Sequence, residues 1–583
     1  MSARGILTLT AAALVSAAPS AFAQRGSISG IVVKSPSGEP AAGAVVKLTD
    51  EAPADAPPGF QVQSTTTGAD GSFRFDNVES GEYFVVANLQ GHLPGEFGQR
   101  TPTGTGIPLD VRSGRVTVSI TVWPTSGIFG RVVDGDGDPV GRAQVLALRL
   151  VYTDGKPSMT IAQTVMTNDR GEYRMFWLTP GTYRVAAREW NPQTSAPAVN
   201  IGPPRRFATS EQATPPNVHR RTLPNGAVVE ETDVPIYAPS TRELSLSSSI
   251  VLAPGDSANA DIQLAGNLVP AYHVRGTVIR SETEQRPVVL QLVPRAQAPF
   301  AIIATAASKA DGSFDIAGVP TGSYILYRGD ALAAVPIEVA DGDVDVTVAE
   351  SSLVKLTGHI TFDRSLSADV TVPKASDVQI QMTRDPDLLG APEGGPRFNA
   401  PPGDDGTLNL STIAPGDYRI ALWPFSNRER VGRGGRRPPE SYNNAYVKSI
   451  RLGDVDVLTE GLHLWSPSQP PLEIVIGLNG GHVEGTVVDN GREAMPNVTV
   501  VAVPDGANRA RGDLYRQTAT DRRGHFAFEG VAPGDYSFYA FDGAERGAWA
   551  NADFMRSFES RGRFVRVREG KNESLDLTVL SGR

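Results

Sequence analysis

Seven histidines, 64 acidic residues and six tryptophans are the side chains through which this 583-residue sequence could do chemistry. The histidines are His92, His219, His273, His359, His463, His482 and His525. None begins an H-x-x-E or H-E-x-x-H pair, the local spacing that presents two zinc ligands together, so all seven read as structural or surface residues. No G-x-S-x-G elbow occurs. Ser352-Leu-Val-Lys355 matches S-x-x-K, but it falls in a strand, whereas that chemistry needs a helix start. Asp134, Asp136 and Asp138 open like a calcium loop. An EF-hand needs Gly at its sixth position and Glu at its twelfth, and Pro139 and Val145 stand there; a turn is the cheaper explanation. Asp341, Asp343 and Asp345 alternate and read as a solvated, charged strand edge. Cysteine is absent, which removes disulfides, thiolate catalysis, iron–sulfur clusters and Cys-ligated zinc. No catalytic residue, metal ligand or cofactor is expected.

The tryptophans are the more suggestive residues. Trp190, Trp423 and Trp549 follow Tyr183, Tyr418 and Tyr536 by seven, five and thirteen residues. That spacing places the three rings at one pole of similar units, where an aromatic face could stack on the apolar face of a sugar. The competing reading is that they cap the open end of a core. Asn191-Pro192 after Trp190 and the Gly-Ala-Trp-Ala-Asn setting of Trp549 favour exposure, whereas Pro424-Phe425 after Trp423 suits a cap.

The elements that must hold these residues recur five times. Each copy opens on a strand with a central glycine: ISGIV (28–32), IFGRV (128–132), VRGTV (274–278), LTGHI (356–360) and VEGTV (483–487). A glycine turn and an apolar pair follow: DGSFRF (70–75), RGEYRM (170–175), DGSFDI (311–316), DGTLNL (405–410) and RGHFAF (523–528). A second turn then leads to Tyr83, Tyr183, Tyr324, Tyr418 and Tyr536, at 53, 53, 48, 60 and 51 residues from the opening glycine. Apolar residues alternate with polar ones inside these segments, so they are strands packed on one face. The strand glycine suits a close backbone approach. Pro180-Gly181, Pro415-Gly416 and Pro533-Gly534 match a type II turn, and the tyrosine after each second turn suits a tyrosine corner. The one helical candidate is 551–557, with Phe554, Met555 and Phe558 clustered.

The expected architecture is all-β: about five tandem antiparallel sandwiches, joined end to end, after a signal peptide. One hydrophobic core cannot serve this length, and 60 glycines with 45 prolines imply many turns. Residues 1–23 form the signal peptide: Arg4, an apolar run from Ile6 to Ala18, and Ala21-Phe22-Ala23 as the cleavage site. The sandwiches are expected at 24–123, 124–268 with a long inserted loop 191–240, 269–350, 351–478 with a basic loop 426–443, and 479–583. No later stretch is long and apolar enough for a membrane span. A net charge of −10 argues against nucleic acid as a partner.

The glycine strand, the turn-G-x-F strand and the [PST]-G-x-Y strand together resemble the carboxypeptidase regulatory-like domain. That domain is a transthyretin-like (prealbumin-like), Greek-key sandwich close to Cna B-type modules. The resemblance is strongest over 26–122, 124–190 and 479–583 and weakest over 351–425, where Leu408 replaces the aromatic residue. It implies a noncatalytic, carbohydrate-binding-like fold in an exported bacterial protein, and fold alone assigns no peptidase activity. The isopeptide crosslinks of Cna B-like modules are not expected, because Val133, Ile279 and Val488 stand where the first copy has Lys34. The resulting expectation is a noncatalytic structural or interaction protein, extracellular, periplasmic or outer-membrane-associated, with a polysaccharide or envelope protein as partner. The alternatives are an accessory to a peptidase or hydrolase, or a partner of an outer-membrane transporter.

Overall fold

The computed structural model describes residues 25–50, 63–111, 114–153, 155–189, 218–279, 287–295, 304–328, 334–349, 353–363, 372–384, 398–400, 402–425 and 442–582. The signal segment, Trp190 and residues 426–441 of the basic loop lie outside them. The regular structure of the described residues is dominated by strands, with one-turn α-helices at Val457–Glu460 and Ala552–Met555 and a few 3-10 turns. Its strands build five sandwiches: four have two separate sheets, and in the fifth Asn572–Ser581 pairs with both Gly481–Val488 and Gly534–Asp542, joining the two faces into one seven-stranded sheet. In the first, one sheet orders Ser72–Glu79, Arg25–Lys34, Arg115–Pro124 and His92–Leu93. The other orders Gln63–Thr66, Val45–Asp50, Gly81–Asn88 and Gly95–Glu96.

Alternation sets which side chains fill each core. In His525–Val531, Phe526 and Phe528 point inward while His525, Ala527 and Glu529 face solvent; the same phase buries Phe73 and Phe75 in the first unit. One feature departs from an antiparallel sandwich. The opening strand of every unit pairs in parallel with a closing strand, as in Ser27↔Arg115 through Lys34↔Val122 and His482↔Asn572 through Val488↔Thr578. Parallel neighbours cannot be joined by a hairpin, so the rest of the sandwich lies between them in sequence.

That parallel pair explains the strand glycine. A Cβ at Gly30, Gly130, Gly276, Gly358 or Gly485 would fall within 3.0 Å of a closing-strand backbone oxygen, that of Val118, Ala260, Val346, Leu472 or Leu575. The aromatic residue of the turn-G-x-F strand lies over the same spot, with Phe73, Phe314 and Phe526 ring atoms within 3.2 Å of that Cβ position. The two motifs are therefore one contact. The turn glycine has a separate reason. Gly71, Gly171, Gly312, Gly406 and Gly524 all have φ between 73° and 88°, and each carbonyl accepts the N–H of an opening-strand residue at 2.8–2.9 Å.

The second turn behaves differently from a type II turn. Gly181 and Gly416 have φ of 153° and 155°, far from the roughly +80° of that turn, and they begin the tyrosine strands. Each of the five tyrosine strands then forms a tyrosine corner. The hydroxyls of Tyr83, Tyr183, Tyr324, Tyr418 and Tyr536 donate to the carbonyls of Glu79, Thr179, Pro320, Ala414 and Ala532, each four residues upstream, at 2.6–3.0 Å. Burial pushes the Tyr324 hydroxyl up to about 12. An acid whose pKa rises on folding stabilises the fold fully below its unfolded value of about 10, and that contribution is lost as pH climbs through 12. Tyr324→Phe should cost about 1 kcal/mol at neutral pH through the lost hydrogen bond. It should also reduce the fall in stability between pH 10 and 12, read by denaturant melts across that range.

The units are not simply strung end to end. Part of the expected loop 191–240 is a hairpin, Val218–Thr222 with Val228–Asp233. It extends the sheet of the third unit through Thr232↔Val269. Glu230 of this hairpin meets His273 at 3.0 Å, and Asp315 meets the other ring nitrogen at 2.6 Å. The fifth unit touches three others. Asn497 donates to the carbonyls of Gly98 and Thr105 in the first unit at 2.7 and 2.6 Å. Arg149 of the second unit meets Glu545 at 3.0 Å, and Asn551 donates to the Gly155 carbonyl at 2.9 Å. Tyr446 of the fourth donates to Glu569 at 3.1 Å.

Candidate functional site

Of the three tryptophans singled out by spacing, Trp190 lies outside the described residues. Trp423 and Trp549 are both buried. The exposure expected for Trp549 fails for a physical reason. Alternate residues of the fifth unit's second sheet are apolar on both faces: Val500, Ala502 and Phe538 face the core, while Val501, Val503, Tyr539 and Phe541 face outward. The segment 548–558 folds over that outward face and places Trp549, Met555 and Phe558 on it. Its short helix is capped by Asn551, whose side-chain oxygen accepts the Phe554 N–H at 2.9 Å. Neither described ring offers a face to a ligand.

Two other tryptophans do. Trp465 is 65% exposed and follows the edge strand Leu462–Leu464, which pairs with the tyrosine strand as Asp417↔His463. Its indole N–H donates to Asp417 Oδ1 at 2.8 Å, and His463 Nδ1 donates to the same oxygen at 2.7 Å. His463 Nε2 lies 3.0 Å from the Glu460 carbonyl. Both ring nitrogens thus face acceptors, which only the imidazolium satisfies. The hydrogen bond to Asp417 accordingly raises the His463 pKa. The arrangement pins an exposed ring at its polar corner while its faces stay open. Among the described residues, Asp417 Oδ2 takes no hydrogen bond.

Trp177 is 62% exposed and is set by a bulge. In every unit the opening strand slips register against the turn-G-x-F strand, leaving two residues opposite one. The second of the two has a left-handed φ at Asn77 (60°), Trp177 (62°), Gly318 (76°) and Gly530 (63°). Asn and Gly enter that region cheaply, whereas a bulky residue held there costs on the order of 1–3 kcal/mol. Neither Trp177 nor Trp465 stands out by spacing from a tyrosine. The bulge column of the repeat is the signal that marks Trp177, because an aromatic residue there breaks the pattern.

One member of each acidic run singled out in the sequence, Asp134 and Asp343, is engaged in structure. Asp134 accepts the N–H groups of Asp136 and Asp138 at 3.0 and 2.9 Å, which makes the DGDGDP segment an Asx-type turn. Asp343 is tied to Arg275 at 2.8 Å and to the His273 N–H at 2.9 Å. An open cleft of about 600 Å³ lies on the fifth unit. Its walls include Asp535 and Arg566, which pair bidentately at 2.7 and 3.0 Å.

Residues 27–121 match the family model of the carboxypeptidase regulatory-like domain. That match spans the first sandwich. The four units after it repeat its parallel strand pair, its bulge and its tyrosine corner. A search of curated proteins finds no match. Solved structures similar to this chain include the TIE protein of Bacillus anthracis, at 11% identity and a TM-score of 0.16, covering 56% of this chain and 50% of that one. The chain thus spans half the length of that protein. The minor pilin GBS52 of Streptococcus agalactiae is similar at 13% identity and a TM-score of 0.20, covering 41% of this chain and 95% of that one. The major pilin subunit BcpA of Bacillus cereus is similar at 12% identity and a TM-score of 0.13, covering 56% and 99%. Among the described residues, no helix is long and apolar enough to cross a membrane.

Proposed function

We propose that the protein is an exported, noncatalytic structural and interaction protein that binds polysaccharide of the cell envelope or its surroundings. The observation that carries the reading is Trp465, an open indole fixed through its N–H to Asp417, with His463 on the same carboxylate oxygen. A pyranose presents an apolar C–H face and a ring of hydroxyls. The indole supplies the stacking surface, and Asp417 Oδ2 supplies an acceptor beside it. Fixing the indole beforehand reduces the side-chain entropy lost on binding. The signal-like segment 1–23 supports export.

The chain without residues 1–23 should be retained on at least one insoluble polysaccharide or on an array of pyranose oligosaccharides. Trp465→Ala should weaken that binding about fivefold or more, because an aromatic contact contributes roughly 1 kcal/mol beyond area burial. Its melting temperature should hardly move, since the ring is mostly in solvent. Retention on no glycan would leave protein partners as the only interaction class. Unchanged binding by Trp465→Ala would move the site elsewhere.

A further inference from the structure

The second unit exposes an aromatic surface that neither its core nor its neighbours use. Trp177 packs edge-to-face on Phe176, with ring centroids 4.8 Å apart at 85°, and Phe176 is itself 46% exposed. Phe129, 44% exposed, stands on the adjacent opening strand, where it pairs with Arg174. Phe176 follows Arg174 by two residues on the same strand, so it is the diagonal neighbour of Phe129 on one sheet face, within reach of an aromatic ring. Gly127 lies opposite the bulge and has no side chain to cover the rings. On the other side of Phe129 the parallel closing strand contributes Asn259. The row Arg174, Phe129, Asn259 therefore crosses three strands, with exposed polar ends and an aromatic middle.

We infer that this face is a second sugar site, in which one or two pyranose rings stack on Phe129, Phe176 and Trp177 while Arg174 and Asn259 bond their hydroxyls. Strain and size together select this occupant. Trp177 stands in the left-handed region where the first, third and fifth units carry Asn77, Gly318 and Gly530. Folding alone would favour Asn or Gly at this position, because the indole is neither buried nor packed in a core. The three rings offer roughly 300 Å² of apolar surface. A stable protein partner, including a second copy of this chain, needs about 800 Å² on each side. A sugar ring with one apolar face and a polar rim matches both the area and the Arg174 and Asn259 flanks.

The inference rests on the polysaccharide reading above, and two variants separate the two claims. The chain without residues 1–23 and its Trp177→Asn and Trp465→Ala variants are compared by titration with cellohexaose, xylohexaose and chitohexaose, and by thermal melting. Trp177→Asn places the residue of position 77 in the same bulge, so its melting temperature should equal or exceed that of the wild type. Its affinity for the hexasaccharide that binds should fall at least fivefold, and binding that survives in Trp465→Ala should be abolished by adding Trp177→Asn. Unchanged affinity in Trp177→Asn, with Trp465→Ala impaired, would overturn this site and leave the general reading standing. A lowered melting temperature with unchanged affinity would make the indole a structural element and overturn the site as well. Binding of none of the three sugars by the wild type, together with retention on no polysaccharide or array glycan, would overturn both claims.

Discussion

Gly485→Ala should unfold the fifth sandwich at temperatures where the other units persist. The added Cβ would fall well within 3.0 Å of the Leu575 carbonyl oxygen, with a Phe526 ring carbon 3.2 Å away on the other side. Backbone cannot rotate aside as a flexible side chain can. Relief requires the strands Gly481–Val488 and Asn572–Ser581 to separate, which breaks the ladder from His482↔Asn572 to Val488↔Thr578. Overpacking a tight interior typically costs about 1–3 kcal/mol, and lost ladder bonds would add to it. For a unit of this size each kcal/mol lowers the melting temperature by roughly 4–8 °C. The fitting control is Gly512→Ala, where nothing lies within 4 Å of the new Cβ. The measurement is thermal unfolding together with limited proteolysis: cleavage should appear within 479–583 for Gly485→Ala and not for Gly512→Ala. Equal melting of the two variants would mean that the closing strand does not lie where the parallel pairing puts it.

The features that were legible in the sequence are those fixed by local chemistry and repeated by necessity. A turn that needs positive φ selects Gly71 and its four counterparts. A corner that bonds a carbonyl four residues upstream selects Tyr83 and its counterparts. Alternation marks Phe526 and Phe528 as inward. The parallel pairing was legible only as a need for closeness at the strand glycine, because strand direction depends on which distant segment arrives beside it. The hairpin Val218–Asp233 reads as loop because the stretch 191–240 is rich in Pro, Gly and Arg and its strands, VHRRT and VVEETD, are charged; it takes its order from the edge of the third unit's sheet. The exposure expected of Trp549 failed because the fifth unit's second sheet is apolar on its outward face as well, and the segment 548–558 covers it. Small residues around Trp549 suggest an open loop, yet Gly547, with φ of 83°, brings the chain close to the Tyr152 carbonyl, and a Cβ at Gly155 would sit within 3.0 Å of Ala550 backbone. The glycines there serve close approach between two units.

Trp549→Ala should therefore be among the most damaging single changes in the fifth unit, and it should loosen that unit from the second. The indole lies among Val501, Val503, Tyr515, Tyr539 and Phe541 on the outward sheet face, beside Met555 and Phe558. Truncating a buried tryptophan typically costs about 3–5 kcal/mol, from lost apolar transfer and the cavity left behind. The segment it anchors also carries the contacts to the second unit. Asn551 holds the Gly155 carbonyl at 2.9 Å, Phe554 lies 6.4 Å from Tyr152 between ring centroids, and Glu545 pairs with Arg149. The ion pair is partly solvated, so removing it alone by Glu545→Ala should cost under about 1 kcal/mol and leave the seam closed. Loss of the tryptophan acts differently, because it frees the backbone that positions all three contacts at once. Small-angle scattering should then show a larger radius of gyration for Trp549→Ala than for Glu545→Ala, together with a lower melting temperature and new proteolysis between 545 and 561. A Trp549→Ala protein that melts and scatters like the wild type would mean that the segment neither covers the sheet nor holds the second unit.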